Sequence, residues 1–258
     1  MSGRNIEGPT VHAGAQDRPA LALLDETIAA HDPEGRWADF SSFAARMSIG
    51  GGLWDLKGVG GLFDDVTLTG RTNEVWDSIV PFTALDRVGI FSPERTTIET
   101  LEGTVVEERD DPLSAFAGQT RLTPWDPMQA LYFASYANWN YFVAPFIYRS
   151  AGFSVRTAGP WSENGQTWRR LDVTYPKGFA THSQLQTIYI DAFGLIARLD
   201  YSVDILGGGP AAHYPSRYQA FDGILVPTKR EVYVRDANNN PIRDNVSIDI
   251  DITTISFS

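Results

Sequence analysis

The stretch DPMQALYFASYANWNYFVAPFIY, residues 126–148, separates two long blocks of β-type sequence and carries no charge after its first residue. Asp126 stands at a helix N-cap and Gln129 three positions later, which is the spacing of a capping box. The sequence therefore predicts a helix that runs to about Ala144, just before Pro145. A helix that is apolar around its whole circumference is buried on all sides or lies in a membrane.

Polar side chains in this helix argue against a membrane span, although the uncharged stretch is long enough for one. Gln129, Ser135, Asn138 and Asn140 would each need a partner in lipid. Soluble β-type sequence also flanks the helix on both sides. We therefore predict that the helix is buried inside a protein domain and that there is no stable membrane insertion.

The blocks on either side of the helix alternate between apolar and polar residues with the period of a β-strand. In residues 195–205 the odd-numbered positions are apolar and the even-numbered ones mostly polar. Hairpin turns are predicted at Gly103 and Gly223, because glycine supplies the positive φ of a tight turn. Residues 54–56 are predicted to begin another strand, and helical spacing predicts a helix over Pro19–His31.

About ten strands in one antiparallel sheet are too many to stay flat, so the sheet is expected to coil or partly close. The predicted fold class is mostly β (α+β). It is a single strongly curved antiparallel sheet, a half-barrel wrapped around the buried aromatic helix, with an additional N-terminal helix. No linker interrupts the chain, and we predict a flexible tail over residues 1–16 and a single domain over residues 17–258.

Composition excludes several classes of function. The chain has 258 residues and a formal net charge of −11, with no basic stripe, so nucleic-acid binding is disfavoured. It contains no cysteine, which excludes disulfides, thiolate catalysis and thiolate metal sites. Residues 1–16 show neither an apolar export segment nor a lipobox cysteine, which favours a cytoplasmic location.

Three segments of the second half carry a pattern of strands and turns. They are WRRLDVTYP (168–176), IYIDAFGLIARLDYSVDI (188–205) and HYPSRYQAFDGILVPTKREVYV (213–234). The pattern is set by Asp191, Gly194, Leu195, Arg198, Tyr218, Asp222, Gly223 and Pro227. It resembles the C-terminal half of the LolA/LppX-like lipoprotein-carrier superfamily. The resemblance, over about a quarter of the chain, implies a half-barrel with an apolar cavity between sheet and helix. Members of that superfamily bind lipids or lipoprotein acyl chains, and they are exported, whereas this sequence shows no export signal.

Two histidines are candidates for acid–base chemistry. His182 and His213 lie near strand ends in the second half, so both are expected at the rim of one cavity. Imidazole titrates near neutrality, which makes it the commonest general acid or base. The alternative is that each is a hydrogen-bonded structural histidine. No third ligand follows at a metal-binding spacing, so we predict no metal and no cofactor.

Aromatic residues supply the candidate wall of the cavity. The predicted ligand-binding residues are Tyr132, Tyr136, Trp139, Asn140, Tyr201 and Trp125. Together they bury many polar groups, which suits a cavity for an apolar ligand that has a few polar atoms. Core packing is the alternative role for each of them. Strand parity points Arg198 and Asp200 away from this cavity, toward solvent.

The sequence leaves three functions open. The preferred one is an enzyme that binds a hydrophobic small molecule in the aromatic-lined cavity and performs cofactor-independent acid–base chemistry, as a lyase or isomerase does. The reaction would be isomerisation, elimination, hydration or cyclisation, with His182 and His213 as base and acid. The alternative is a non-catalytic carrier or sensor of a lipid-like ligand, disfavoured because a cytoplasmic protein has less need of it. The third is a structural protein whose own side chains fill the cavity.

Overall fold

The computed structural model describes residues 17–258 and contains, over that range, one sheet of thirteen antiparallel strands and three α-helices. The helices are α1 (Arg18–His31), α2 (Gly52–Leu56) and α3 (Pro127–Val143). The strands of the first half are β1 (Ser42–Gly50), β2 (Val66–Arg71), β3 (Asp77–Val80), β4 (Arg87–Ser92), β5 (Arg95–Thr100) and β6 (Val105–Asp110). Those that follow α3 are β7 (Ser154–Glu163), β8 (Gln166–Thr174), β9 (Leu185–Ile190), β10 (Ile196–Val203), β11 (Gly209–Phe221), β12 (Ile224–Val234) and β13 (Ile248–Phe257).

The strands follow one another across the sheet with a single exception. Their order is β6-β5-β4-β3-β2-β1-β13-β12-β11-β10-β9-β8-β7, so the last strand joins the two halves at the centre. The sheet has two edges, β6 and β7, and is not closed. The predicted half-barrel is therefore confirmed, with thirteen strands in place of about ten. Strands β3 and β7 were not expected, and residues 54–56 belong to the short helix α2 instead of a strand.

Helix α3 begins and ends where its sequence predicts. The Asp126 carboxylate accepts a hydrogen bond from the Gln129 backbone N–H at 2.8 Å, and the Gln129 side chain accepts one from the Asp126 N–H at 3.0 Å. Every residue from Met128 to Val143 is buried. The helix packs against β3, β4 and β5 on one side, and its other faces are covered by the remaining sheet. Within residues 17–258, no helix is both long and apolar enough to cross a membrane.

Helix α1 is tied to an edge strand of the sheet through its cap. The Asp17 carboxylate accepts hydrogen bonds from the backbone N–H of Ala20 at 3.1 Å and of Thr157 in β7 at 2.9 Å. Its buried residues, Leu23 and Leu24 among them, join the common core. The predicted N-terminal helix is thus confirmed. The predicted flexible tail, residues 1–16, lies outside the described residues.

A charged cluster lies on the convex side of the sheet, where solvent exposure was expected. The Arg198 side chain is fully buried and donates to Asp200 at 2.7 Å and to Glu163 at 2.6 Å. Its guanidinium lies 4.8 Å from the Tyr189 ring and 5.5 Å from the Tyr214 ring. The alternation along the strand correctly placed Arg198 and Asp200 on the convex face of the sheet. Neighbouring aromatic side chains, however, cover these charged groups. The expectation of solvent exposure is therefore wrong.

Candidate functional site

A cavity of about 80 Å³ lies between α3 and the concave face of the sheet. Helix α3 contributes Phe133, Ala134, Ala137, Asn138 and Tyr141, and the small side chains of the two alanines leave the space between helix and sheet open. The sheet contributes mainly branched apolar residues, namely Ile49, Val203, Val232, Val234, Ile248 and Ile250. Its volume exceeds the roughly 10–15 Å³ that one water molecule needs, but is below the roughly 300–1,000 Å³ typical of pockets for drug-sized ligands. A long ligand would therefore have to widen it.

A buried polar cluster occupies one side of the cavity. The Tyr136 hydroxyl lies 3.1 Å from Nδ1 of His182, and the Tyr141 hydroxyl lies 2.8 Å from Nε2 of the same ring. The Tyr141 hydroxyl also lies 2.9 Å from the hydroxyl of Tyr201, whose ring stacks on His182 at 4.2 Å. His182, Tyr141 and Tyr201 line the cavity, whereas Tyr136 contacts His182 without lining the cavity.

Burial keeps this cluster neutral. It lowers the pKa of His182 to about 3, and it raises the pKa of Tyr141 to about 12. A neutral imidazole has one N–H donor and one acceptor nitrogen, so one tyrosine hydroxyl donates to the ring and the other accepts from it. The groups of this cluster are therefore neutral, and each hydrogen bond within it joins a neutral donor to a neutral acceptor. Toward the cavity they present the hydroxyl groups of Tyr141 and Tyr201 and the His182 ring.

His213 lies farther along the same groove and does not line the cavity. Its Nε2 faces the guanidinium of Arg230 at 3.4 Å, and its ring packs edge-on against Tyr141 with 4.4 Å between centroids. Burial and the Arg230 charge lower the pKa of His213 well below its usual value. Within residues 17–258, its Nδ1 has no hydrogen-bond partner. Tyr141 therefore contacts both histidines that the sequence singled out.

Of the residues predicted to bind ligand, Tyr201 lines the cavity directly. Tyr132, Trp139 and Asn140 point elsewhere, because a helix buried on all sides turns only one face toward the cavity, and Trp125 precedes the helix. Tyr132 packs against Phe91 and Phe116, and Trp125 packs against Phe116 and Phe133. Trp139 donates to the backbone oxygen of Arg71 at 2.8 Å, and Asn140 donates to that of Ala180 at 2.9 Å. The spacing of Ala134, Ala137 and Tyr141 along one helical face is the sequence signal that identifies the cavity side.

Comparison with known proteins identifies the fold. No protein-family model matches the sequence, and no curated protein gives a significant match. A crystal structure described as an outer membrane lipoprotein-sorting protein domain from Vibrio parahaemolyticus is similar, with 10% identity, 93% of each chain covered and a TM-score of 0.52. A LolA superfamily protein from Nitrosomonas europaea is similar with 9% identity, 93% of each chain covered and a TM-score of 0.53. The LolA-like fold, first indicated by residues 168–234, thus extends over nearly the whole chain.

Two predictions from the sequence are wrong. The preferred lyase or isomerase is contradicted by the comparisons, because the similar structures are described as a lipoprotein-sorting protein domain and a LolA superfamily protein. The geometry agrees, since His182 has a pKa of about 3 and tyrosine hydroxyls at both ring nitrogens, which makes it a weak general base near neutrality. The predicted cytoplasmic location is contradicted by the same comparison, because the similar structure is described as an outer membrane lipoprotein-sorting protein domain.

Proposed function

We propose that this chain, which has the LolA-like fold, is an extracytoplasmic, non-catalytic carrier that holds an acyl chain between α3 and the concave sheet. The observation that carries the proposal is the cavity itself, which is lined by apolar strand residues and by the small-residue face of α3. The similarity to a lipoprotein-sorting structure supports it.

The cavity wall favours an aliphatic ligand on physical grounds. Burying a methylene group contributes about 0.8 kcal/mol, so an acyl chain with eight buried methylenes gains about 6 kcal/mol. The hydroxyl groups of Tyr141 and Tyr201 already bond to each other at 2.9 Å, so an apolar chain that passes them leaves no polar group without a partner. A ligand rich in polar groups would find few free partners along this wall.

The loop of residues 117–126 covers one end of the space between α3 and the sheet. We infer that this loop moves when a ligand enters. Arg121 of this loop lines the cavity, and Leu122 is 71% exposed. The buried ammonium of Lys57 donates to the backbone oxygens of Thr120 at 2.9 Å and Thr123 at 2.8 Å. We infer that these two hydrogen bonds hold the loop across the groove. Widening the cavity for a ligand would then displace the loop while the sheet stays in place.

Native mass spectrometry after exposure to a bacterial lipid extract tests the proposal. The wild-type protein is expected to retain an acyl lipid that is released on denaturation. Ala137→Leu adds three carbon atoms to the cavity wall and is expected to reduce retention at least tenfold while keeping an equal or higher thermal midpoint, because it fills empty space. Ala137→Ser is the matched control, because it keeps the volume and is expected to retain lipid. A wild-type protein that retains no lipid, or equal retention by Ala137→Leu, would contradict the proposal.

A further inference from the structure

The cavity belongs to a longer groove that a layer of three side chains divides. On β12, Val234 and Val232 line the cavity, and the next residue on the same face is Arg230, about 7 Å farther along the strand. On the neighbouring strand β11, Ala211 lines the cavity and His213 comes next on that face. Beyond them lies a second cavity of about 20 Å³.

Tyr141 of α3 lies between the two cavities and lines both of them. Its ring packs against His213, and its backbone oxygen accepts a hydrogen bond from Arg230 at 3.0 Å. The three residues Tyr141, His213 and Arg230 form what we call the polar layer. Because Tyr141 is the one helix residue shared by both walls, rotation of its ring would join the two cavities into one groove.

The polar layer holds an uncompensated charge. Arg230 is 5% exposed, and its guanidinium contacts the backbone oxygen of Tyr141, Nε2 of His213 and, at 5.0 Å, the Tyr141 ring. Among residues 17–258, no carboxylate forms an ion pair with it. A buried guanidinium stays charged, and a buried charge is costly unless an opposite charge accompanies it. The neutral histidine beside it supplies none.

We propose that Arg230 binds the carboxylate of a fatty acid whose chain occupies the main cavity. This inference rests on the proposed carrier function and names its ligand class. The planar fork of a guanidinium matches a carboxylate with two parallel hydrogen bonds. The second cavity, at about 20 Å³, is small, which favours a carboxylate over the bulkier phosphodiester and glycerol of a phospholipid. Since Val232, two residues after Arg230 on the same face of β12, lines the main cavity, a chain that starts at Arg230 leads into that cavity past Tyr141.

The test compares two ligands that differ only in the headgroup. Dissociation constants of dodecanoate and 1-dodecanol are measured by isothermal titration calorimetry for the full-length wild type, Arg230→Met and Arg46→Met. The wild type is expected to bind the acid about tenfold or more tightly than the alcohol, because a hydrogen bond to a charged group is strong when buried. Arg230→Met is expected to lose this preference. Arg46→Met, which removes an exposed arginine paired with Asp65, is expected to keep it.

Each outcome separates this inference from the proposed function. Equal affinity of the wild type for acid and alcohol, or an unchanged preference in Arg230→Met, would overturn the role of Arg230 and leave the carrier intact. If neither ligand binds the wild type, the carrier proposal fails as well. Sodium acetate carries the same headgroup without the chain and is expected to bind at least about a hundredfold more weakly than dodecanoate. Equal binding of acetate would indicate a site for free anions and would also overturn the proposal.

Folding of the variants has its own control. Ligand-free Arg230→Met is expected to melt at or above the wild-type temperature, because an apolar side chain replaces a buried charge without a counter-ion. If that variant does not fold, Arg230→Lys retains the charge but loses the planar fork. It is expected to reduce the preference for the acid severalfold, and an unchanged preference would contradict bidentate binding.

Discussion

A buried carboxylic acid in β3 gives the protein an unusual dependence of stability on pH. Asp77 is fully buried opposite Gly70 of β2 and Phe91 of β4, beside Ser135 of α3. Among residues 17–258, neither of its carboxyl oxygens has a hydrogen-bond partner. Replacing Asp77 by Asn keeps the shape of the side chain and removes its titration. We expect Asp77→Asn to stabilise the protein at neutral pH and to leave it nearly unchanged in acid.

The magnitude follows from the pKa of this group in the folded and unfolded states. Burial raises the pKa of Asp77 from 3.8 to about 8, and the Ser135 hydroxyl opposes part of the rise. Between these values the native protein holds a proton that the unfolded chain has released, so the stability of the wild type falls as pH rises. The slope is about 1.4 kcal/mol per pH unit, which amounts to about 4 kcal/mol at pH 7. A loss of this size is a large part of the stability of an ordinary domain.

Urea denaturation followed by tryptophan fluorescence at pH 4.5, 5.5, 6.5 and 7.5 measures this difference. The buried histidines His31, His182 and His213 titrate equally in both proteins, so their effect cancels when the wild type is subtracted. The stability gained by Asp77→Asn is expected to grow by about 1.4 kcal/mol per pH unit over this range. Asp39→Asn, at an exposed position, is the matched control and is expected to show a flat difference. A flat difference for Asp77→Asn as well would refute the reasoning.

Two further substitutions probe the polar cluster and the loop over the groove. His182→Ala is expected to lower the free energy of unfolding by about 3 kcal/mol, since two buried tyrosine hydroxyls lose a partner and a cavity remains. Urea denaturation measures the loss, and a decrease below about 1 kcal/mol would show that the hydroxyls find new partners. Lys57→Met is expected to release the loop of residues 117–126 and to speed trypsin cleavage after Arg121 severalfold, whereas Lys177→Met, at an exposed lysine, should not. An unchanged cleavage rate in Lys57→Met would mean that other contacts hold the loop.

Local chemistry allowed the sequence to predict individual elements. The capping box of Asp126 and Gln129 fixes the start of α3, and Pro145 follows its end. The turn at Asp222 and Gly223 has φ of 50° and 91°, the left-handed backbone that this pair of residues tolerates. Strand β7 was missed because Gly159 and Pro160 interrupt its pattern, and such residues normally disfavour a strand interior. Pairing with β8 along the sheet edge overrides that preference.

The candidate site was harder to predict, because it depends on which residues meet across the sheet. The sequence singled out bulky helix residues such as Tyr132 and Trp139, whereas the helix face at the cavity includes the small residues Ala134 and Ala137. Arg230 was passed over, since an arginine in a strand normally faces solvent. The apolar alternation of Val226, Val232 and Val234 places Arg230 on the same buried face, and this signal was available in the sequence. The sequence alone could not show that Arg230 lacks a counter-charge, because its neighbours come from two other elements, β11 and α3.

The hydrogen bonds of α3 indicate how the groove can widen without losing the fold. Side-chain hydrogen bonds fix its C-terminal half to the end of β2, through Trp139 to Arg71, and to the loop between β8 and β9, through Asn140 to Ala180. At Ala134 and Ala137, by contrast, the helix faces the cavity with side chains that form no hydrogen bonds. A ligand can therefore gain room by moving side chains and the covering loop while α3 stays in register with the sheet. The polar groups fix the position of the helix, and the small apolar groups leave the space for the ligand.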